Sequence, residues 1–130
     1  EPTRAPAIVD GIITETGSVR AVVEIKARDL TLDKLQTAYY NNVLVTFDKI
    51  TRSQQIAQAL DVSLLLFTYL IPDDLLVWKA IWKPDDRGCW QTEISMKNWK
   101  TQETVNGGEI NRFNAFVSMK DANIWKSKNG

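Results

Sequence analysis

Histidine is absent from the 130 residues. That removes histidine metal ligands, histidine general bases and every Ser-His-Asp or Cys-His arrangement in one step. Cysteine occurs once, at Cys89, so neither an intrachain disulfide nor a cysteine zinc site can form. Neither sign of charge is in excess, with 16 Lys+Arg against 16 Asp+Glu. This excludes a uniformly basic coat for nucleic acid and leaves room for a local basic groove. No hydrophobic run reaches the ~20 residues of a membrane helix. The most apolar stretch, Val62 to Ile71, includes Ser63 and Thr68 and reads as a buried strand. The chain opens EPTRAP, without Met, a basic n-region or an apolar h-region, and reads as a processed product or a piece of a longer protein. Any catalysis must rest on carboxylates, lysines, hydroxyls and a hard metal ion held by oxygen.

What is present is enough for one core. Apolar residues make up 44% of a chain of single-domain length. Residues 1–7 hold two of the four prolines and read as an irregular lead-in. Ile8–Thr16 and Val19–Arg28 read as two strands joined at Thr16-Gly17-Ser18, an antiparallel hairpin. Asp29 or Thr31 caps a helix over LDKLQTAYY that buries Leu32, Leu35 and Tyr39. Val43–Phe47 reads as a strand covered on both faces, and Thr51 or Ser53 as the cap of a second helix, SQQIAQALD. Val62–Leu70 and Leu75–Lys83 are further strands around a Pro72-Asp73-Asp74 turn. Pro84 to Gly88 is a loop, Cys89–Trp99 an edge strand, Asn106-Gly107-Gly108 a turn and Ile110–Met119 a last strand before a polar tail. The expectation is a single α/β domain over 1–130, with one sheet, a core over 8–83 and a β-rich extension over 84–130.

One stretch carries chemistry. In the second strand Glu24 and Lys26 leave the same face, while Val23, Ile25 and Ala27 point the other way. Opposite charges inside an apolar strand need a partner or a metal. A salt bridge along the strand satisfies them in the simplest reading. Asp10 lies in the preceding apolar segment, and a turn centred on Gly17 sets position 10 opposite position 24. Two carboxylates and one ammonium then share a small area, and a divalent cation relieves the repulsion between the carboxylates.

Asp10 followed by Glu24-Ile25-Lys26 resembles the D…(D/E)-x-K signature of the PD-(D/E)XK nuclease superfamily. Gln36-Thr37-Ala38-Tyr39-Tyr40 is similar to the Q-x-x-x-Y motif of its RecB-like and phage-exonuclease-like branches. The resemblance covers residues 8–70. It implies a restriction-endonuclease-like core, a mixed β-sheet flanked by helices. It implies hydrolysis of phosphodiester bonds in nucleic acid, DNA rather than RNA, in an intracellular, prokaryotic or phage setting with no membrane. Asp10, Glu24 and the Ile25 backbone carbonyl would hold Mg²⁺ or Mn²⁺. Lys26 would position or activate water, and Gln36 would support the site. Arg28, Lys34 and Tyr40 would contact the nucleic acid, and a homodimer is one expected assembly. An inactive binding module on the same fold is the alternative. The chain departs from the family in two places: Val9 stands where proline is usual, and only Glu1 is acidic before Asp10.

Other residues have plainer readings. Trp78 and Trp82 fit a core or sheet cover. Trp90, Trp99 and Trp125, beside lysines or in strands, fit a core or a base-stacking surface equally. Asp73-Asp74 and Asp85-Asp86 fit turn chemistry better than metal binding. Asp48 and Lys49 follow the VLVTF strand at the sheet's carboxyl edge, within reach of the site.

Overall fold

The computed structural model describes residues 10–85, 88–103 and 109–126. The lead-in, Ile8, Val9, Asp86, the Asn106-Gly107-Gly108 turn and the last four residues of the tail lie outside the described residues. The fold is mixed α/β and dominated by strands. In chain order these are β1 (Gly11–Glu15), β2 (Ser18–Arg28), α1 (Leu32–Thr37), β3 (Asn42–Thr46), α2 (Phe47–Leu60), β4 (Ser63–Leu70), β5 (Leu75–Lys83), β6 (Cys89–Trp90), β7 (Ile94–Glu103), β8 (Glu109–Ser118) and β9 (Asn123–Lys126).

Two sheets form where one was expected. The larger runs β1-β2-β4-β5-β6, with β9 also on β5, and the smaller runs β3-β8-β7. The polar tail thus contributes a strand, and the expected Cys89–Trp99 strand is broken into β6 and the start of β7. β2 and β4 are parallel, and the crossover between them carries α1, β3 and α2. β3 alternates, with Val43 and Val45 buried and Leu44 exposed, because only its inner face is covered. Helix α2 packs on β2 and β4 of one sheet and on β3 and β8 of the other. Ile50 and Ala57 on α2 therefore join Val22, Leu64, Leu66 and Ile81 of the large sheet, and Val43, Val45 and Val117 of the small one, in one core.

The hairpin has a two-residue turn. Thr16 and Gly17 both take positive φ, 50° and 81°, which suits the right-handed twist of the flanking strands. That turn alone would place Asp10 opposite position 23. A bulge restores the expected register: Ile13 pairs with Ala21 but Thr14 with Val19, so Arg20 is skipped. From Gly11↔Val23, the next position sets Asp10 beside Glu24. A one-residue slip would have turned Glu24 to the opposite face.

Both helices differ from expectation. Thr31 caps α1, accepting from the Lys34 amide at 3.1 Å, and the Asp73 carboxylate accepts from the Leu32 amide at 2.7 Å. α1 then ends at Thr37, because the chain turns through positive φ at Tyr40 and Asn41 to enter β3. α2 begins at Phe47, six residues before Ser53, which lies in mid-helix instead of capping it. Trp82 is buried in the core, and Trp78 meets Phe67 edge-on at 6.0 Å on the outer face. Trp90 and Trp125 are exposed. No helix among the described residues is long and apolar enough to cross a membrane.

Leu66 is 0% exposed at the centre of β4, whereas Ile25, on the neighbouring β2 and the opposite face of the sheet, is 50% exposed. Leu66→Ala is expected to cost about 2–5 kcal/mol through its cavity, and Ile25→Ala less than about 1 kcal/mol. Urea unfolding monitored by tryptophan fluorescence checks the difference.

A candidate acidic site at the seam of β2 and α2

β2 is apolar enough to run through the core, and its alternation sends Val22 and Glu24 toward α2. Glu24 is therefore 0% exposed. α2 faces it with Lys49 and Ser53, which are four residues apart and so lie on one helical stripe. The Ser53 hydroxyl donates to Glu24 Oε1. Glu24 Oε2 has no hydrogen-bond partner and lies 3.7 Å from Lys49 Nζ. Asp10 completes the group from just before β1. Its Oδ1 accepts from Lys49 Nζ at 2.7 Å, and its Oδ2 accepts from the Ile25 backbone amide at 2.8 Å. The Ile25 carbonyl leaves the same strand edge as that amide, past the end of β1.

The charges are tuned by these contacts. Burial pushes the Glu24 carboxyl up; the Ser53 hydrogen bond opposes this, and the nearby Asp10 charge adds to the rise. Partial burial also acts upward on Asp10. The hydrogen bonds from Lys49 and Ile25 outweigh it, so Asp10 is held below the usual carboxylate range. Lys49 is raised, chiefly by its hydrogen bond to Asp10. Lys26 is lowered, first by burial and then by the Lys49 charge, against the opposing pull of Glu24 and Asp10. Two carboxylates whose proton affinities are pushed in opposite directions, and a lysine depressed beside them, are the raw material of acid-base chemistry.

The predicted residues divide into two groups. Asp10, Glu24 and Ile25 come together, and Lys26 follows Glu24 on the same face of β2. The strand salt bridge between Glu24 and Lys26 is not formed: the cation paired with Glu24 is Lys49, and Lys26 has no ion pair among the described residues. Arg28 continues the β2 face and donates to the Leu44 carbonyl at 2.7 Å. Gln36, Lys34 and Tyr40 are not brought to the carboxylates by any hydrogen bond or ion pair among the described residues. The Q-x-x-x-Y spacing needs an uninterrupted helix to align its ends, and α1 stops before Tyr40. Asp48 is exposed in the first turn of α2, where its charge suits the helix N-terminus.

Sequence reasoning misses Ser53 as a partner of Glu24 and underrates Lys49. Their i, i+4 spacing is the available signal, masked by reading Ser53 as a cap. Among the described residues no group of three or more His, Cys, Asp or Glu could hold a metal ion. The donor chemistry here is narrower: two carboxylates and one backbone carbonyl. It fits a hard cation that keeps several waters, and the fully buried Glu24 Oε2, which accepts no hydrogen bond, is an oxygen that such an ion would satisfy.

Comparison of the chain with protein-family models, curated proteins and solved structures gave no match.

Glu24 yields a pH prediction. Its carboxyl is raised in the folded state, so the folded chain binds the proton more tightly than the unfolded one. Stability from this group is full below the unfolded value of about 4.5 and is lost as pH rises through the higher folded value. In metal-free buffer, Glu24→Gln is expected to raise the melting temperature at pH 7–8, with the gain vanishing as pH falls below about 4.5. Thermal melts of both proteins across that range check it.

Proposed function

We propose that the chain is a metal-dependent nuclease of the PD-(D/E)XK type, acting on phosphodiester bonds, with DNA preferred. The observation that carries this reading is the placement of Asp10 beside a fully buried Glu24 that keeps one oxygen free of hydrogen bonds. Asp10, Glu24 Oε2 and the Ile25 carbonyl would hold Mg²⁺ or Mn²⁺. When bound, the ion supplies an acidified water and neutralises charge developing on the phosphate.

The chain's own groups do the rest. Ser53 fixes the Glu24 carboxylate by one oxygen and leaves the other for the ion. The Ile25 amide orients Asp10, and Lys49 keeps it ionised. Lys26, with its proton loosened by burial, sits one step along the face of β2 and can hold the attacking water or accept its proton. Arg28, further along, is placed to contact the phosphate backbone.

A second reading also has an observation behind it. Lys49 already bridges Asp10 and Glu24, so part of the site's negative charge is offset without a metal. A non-cleaving nucleic-acid-binding module would need nothing more.

Mn²⁺ titration by calorimetry decides between them. The nuclease reading expects binding to the wild type that is lost in Asp10→Asn; a wild type that binds no Mn²⁺ and cuts nothing leaves the binding module. On a DNA substrate with Mn²⁺, Lys26→Met and Glu24→Gln are each expected to slow cleavage at least ~100-fold. Glu24→Gln keeps or gains stability, so its loss of activity is not a loss of fold. Cleavage at the wild-type rate by either variant rejects the assignment.

A further inference from the structure

Glu24, Lys26 and Arg28 alternate along one face of β2, and neither cation forms an ion pair among the described residues. Lys26 makes no hydrogen bond or ion pair there. Among the described residues Arg28 donates only to backbone carbonyls, Leu44 at 2.7 Å and Ala27 at 3.0 Å. Both are half-buried. Half-buried cations of this kind are favourable where an anion comes to meet them.

Beside them lies a cavity of about 310 Å³, between the ends of β2 and β4, helix α1 and strands β3 and β8. It is lined by Arg28, Leu35, Tyr39, Leu44, Thr68 and Phe116 among others, and no carboxylate among the described residues lines it. Its walls are largely apolar, with polar groups at a few points. Thr68 is one of them. It pairs with Lys26 in the β2–β4 register, is fully buried, and its Oγ1 has no hydrogen-bond partner. An apolar slot with an aromatic wall, an unsatisfied hydroxyl and two unpaired cations beside it matches one chemical class. That class has a flat ring with hydrogen-bonding edges, attached to a phosphate.

We propose that this cavity binds the base of an unpaired nucleotide whose phosphate lies on Lys26 and Arg28. The inference rests on the nuclease reading, and it names the substrate class: single-stranded nucleic acid, or a duplex with an extruded or unpaired nucleotide. A base within a stacked duplex cannot enter a pocket in the protein. Arg28 is four residues from Glu24, about 13 Å at ~3.3 Å per residue. The cavity therefore reads a nucleotide flanking the one at the carboxylates. Tyr39, about half exposed, offers ring surface for stacking, Phe116 forms part of the apolar wall, and Thr68 Oγ1 offers a partner for the base edge.

The test is fluorescence anisotropy in EDTA, which removes any dependence on metal or turnover. The probes are a short single-stranded DNA, the same strand built from base-less sugar-phosphate units, and the matching duplex. Wild type is expected to bind the intact strand about tenfold or more tighter than either of the others. Leu44→Trp, which narrows the slot, and Tyr39→Ala, which removes its ring, are expected to erase that preference. Both positions are partly exposed, at 37% and 51%, so the variants retain the fold, checked by circular dichroism. Equal binding of intact and base-less strands by wild type, or an unchanged preference in both variants, overturns the proposal. Parallel Mn²⁺ cleavage assays separate it from the nuclease reading. Base-dependent binding without cleavage keeps the cavity's assignment and removes the nuclease; cleavage with no base dependence does the reverse.

Discussion

A carboxylate buried in an apolar core must be answered by its neighbours, and Glu24 sets that demand on the rest of the fold. Ser53 meets one oxygen. Lys49 and Asp10 arrange themselves about the other. Because Lys49 and Ser53 are one turn apart, α2 can present both only in one rotation about its axis. The same rotation puts Ile50 and Ala57 into the core between the sheets. The polar site and the apolar packing thus specify the same helix orientation, and neither could be satisfied by turning α2.

Much of this is legible in the amino-acid sequence. The hairpin, the Val62–Leu70 and Leu75–Lys83 strands and the Asp10–Glu24 neighbourhood all follow from alternation and turn residues. For the Asp10–Glu24 neighbourhood, though, the simple register count takes a route that the molecule does not. The turn is tighter than that count assumes, and a bulge at Arg20 makes up the missing residue. Bulges leave no clear mark on a sequence, since any residue at a strand rim can be skipped. The start of α2 is misread because Thr51 and Ser53 look like caps, and local propensity cannot tell a capping serine from one turned inward to a buried acid. The second sheet escapes the sequence pattern for a broader reason. Pairing of β3 with β8 joins residues about seventy positions apart, and periodicity reports only what is local.

The face of β2 also has an internal order. Charge changes along it from the carboxylate of Glu24 to the cations Lys26 and Arg28, while the facing positions of β4 are Leu66, Thr68 and Leu70. The polarity is confined to one strand. Its neighbour stays almost wholly apolar and holds it in place, so the charged groups are positioned by a wall that does not compete for their bonds.

The parallel pairing of β2 with β4 has a consequence for how the molecule comes into being. Ala21 pairs with Ser63 and Arg28 with Leu70, so the partner of the acid-bearing strand is made only after α1, β3 and α2 have been synthesised. A hairpin can close on itself as it leaves the ribosome, but this pair cannot. Asp10 and Glu24 are joined by local contacts within one hairpin, whereas Lys49 and Ser53 belong to the crossover. The buried form of the site is therefore complete only with the completed sheet.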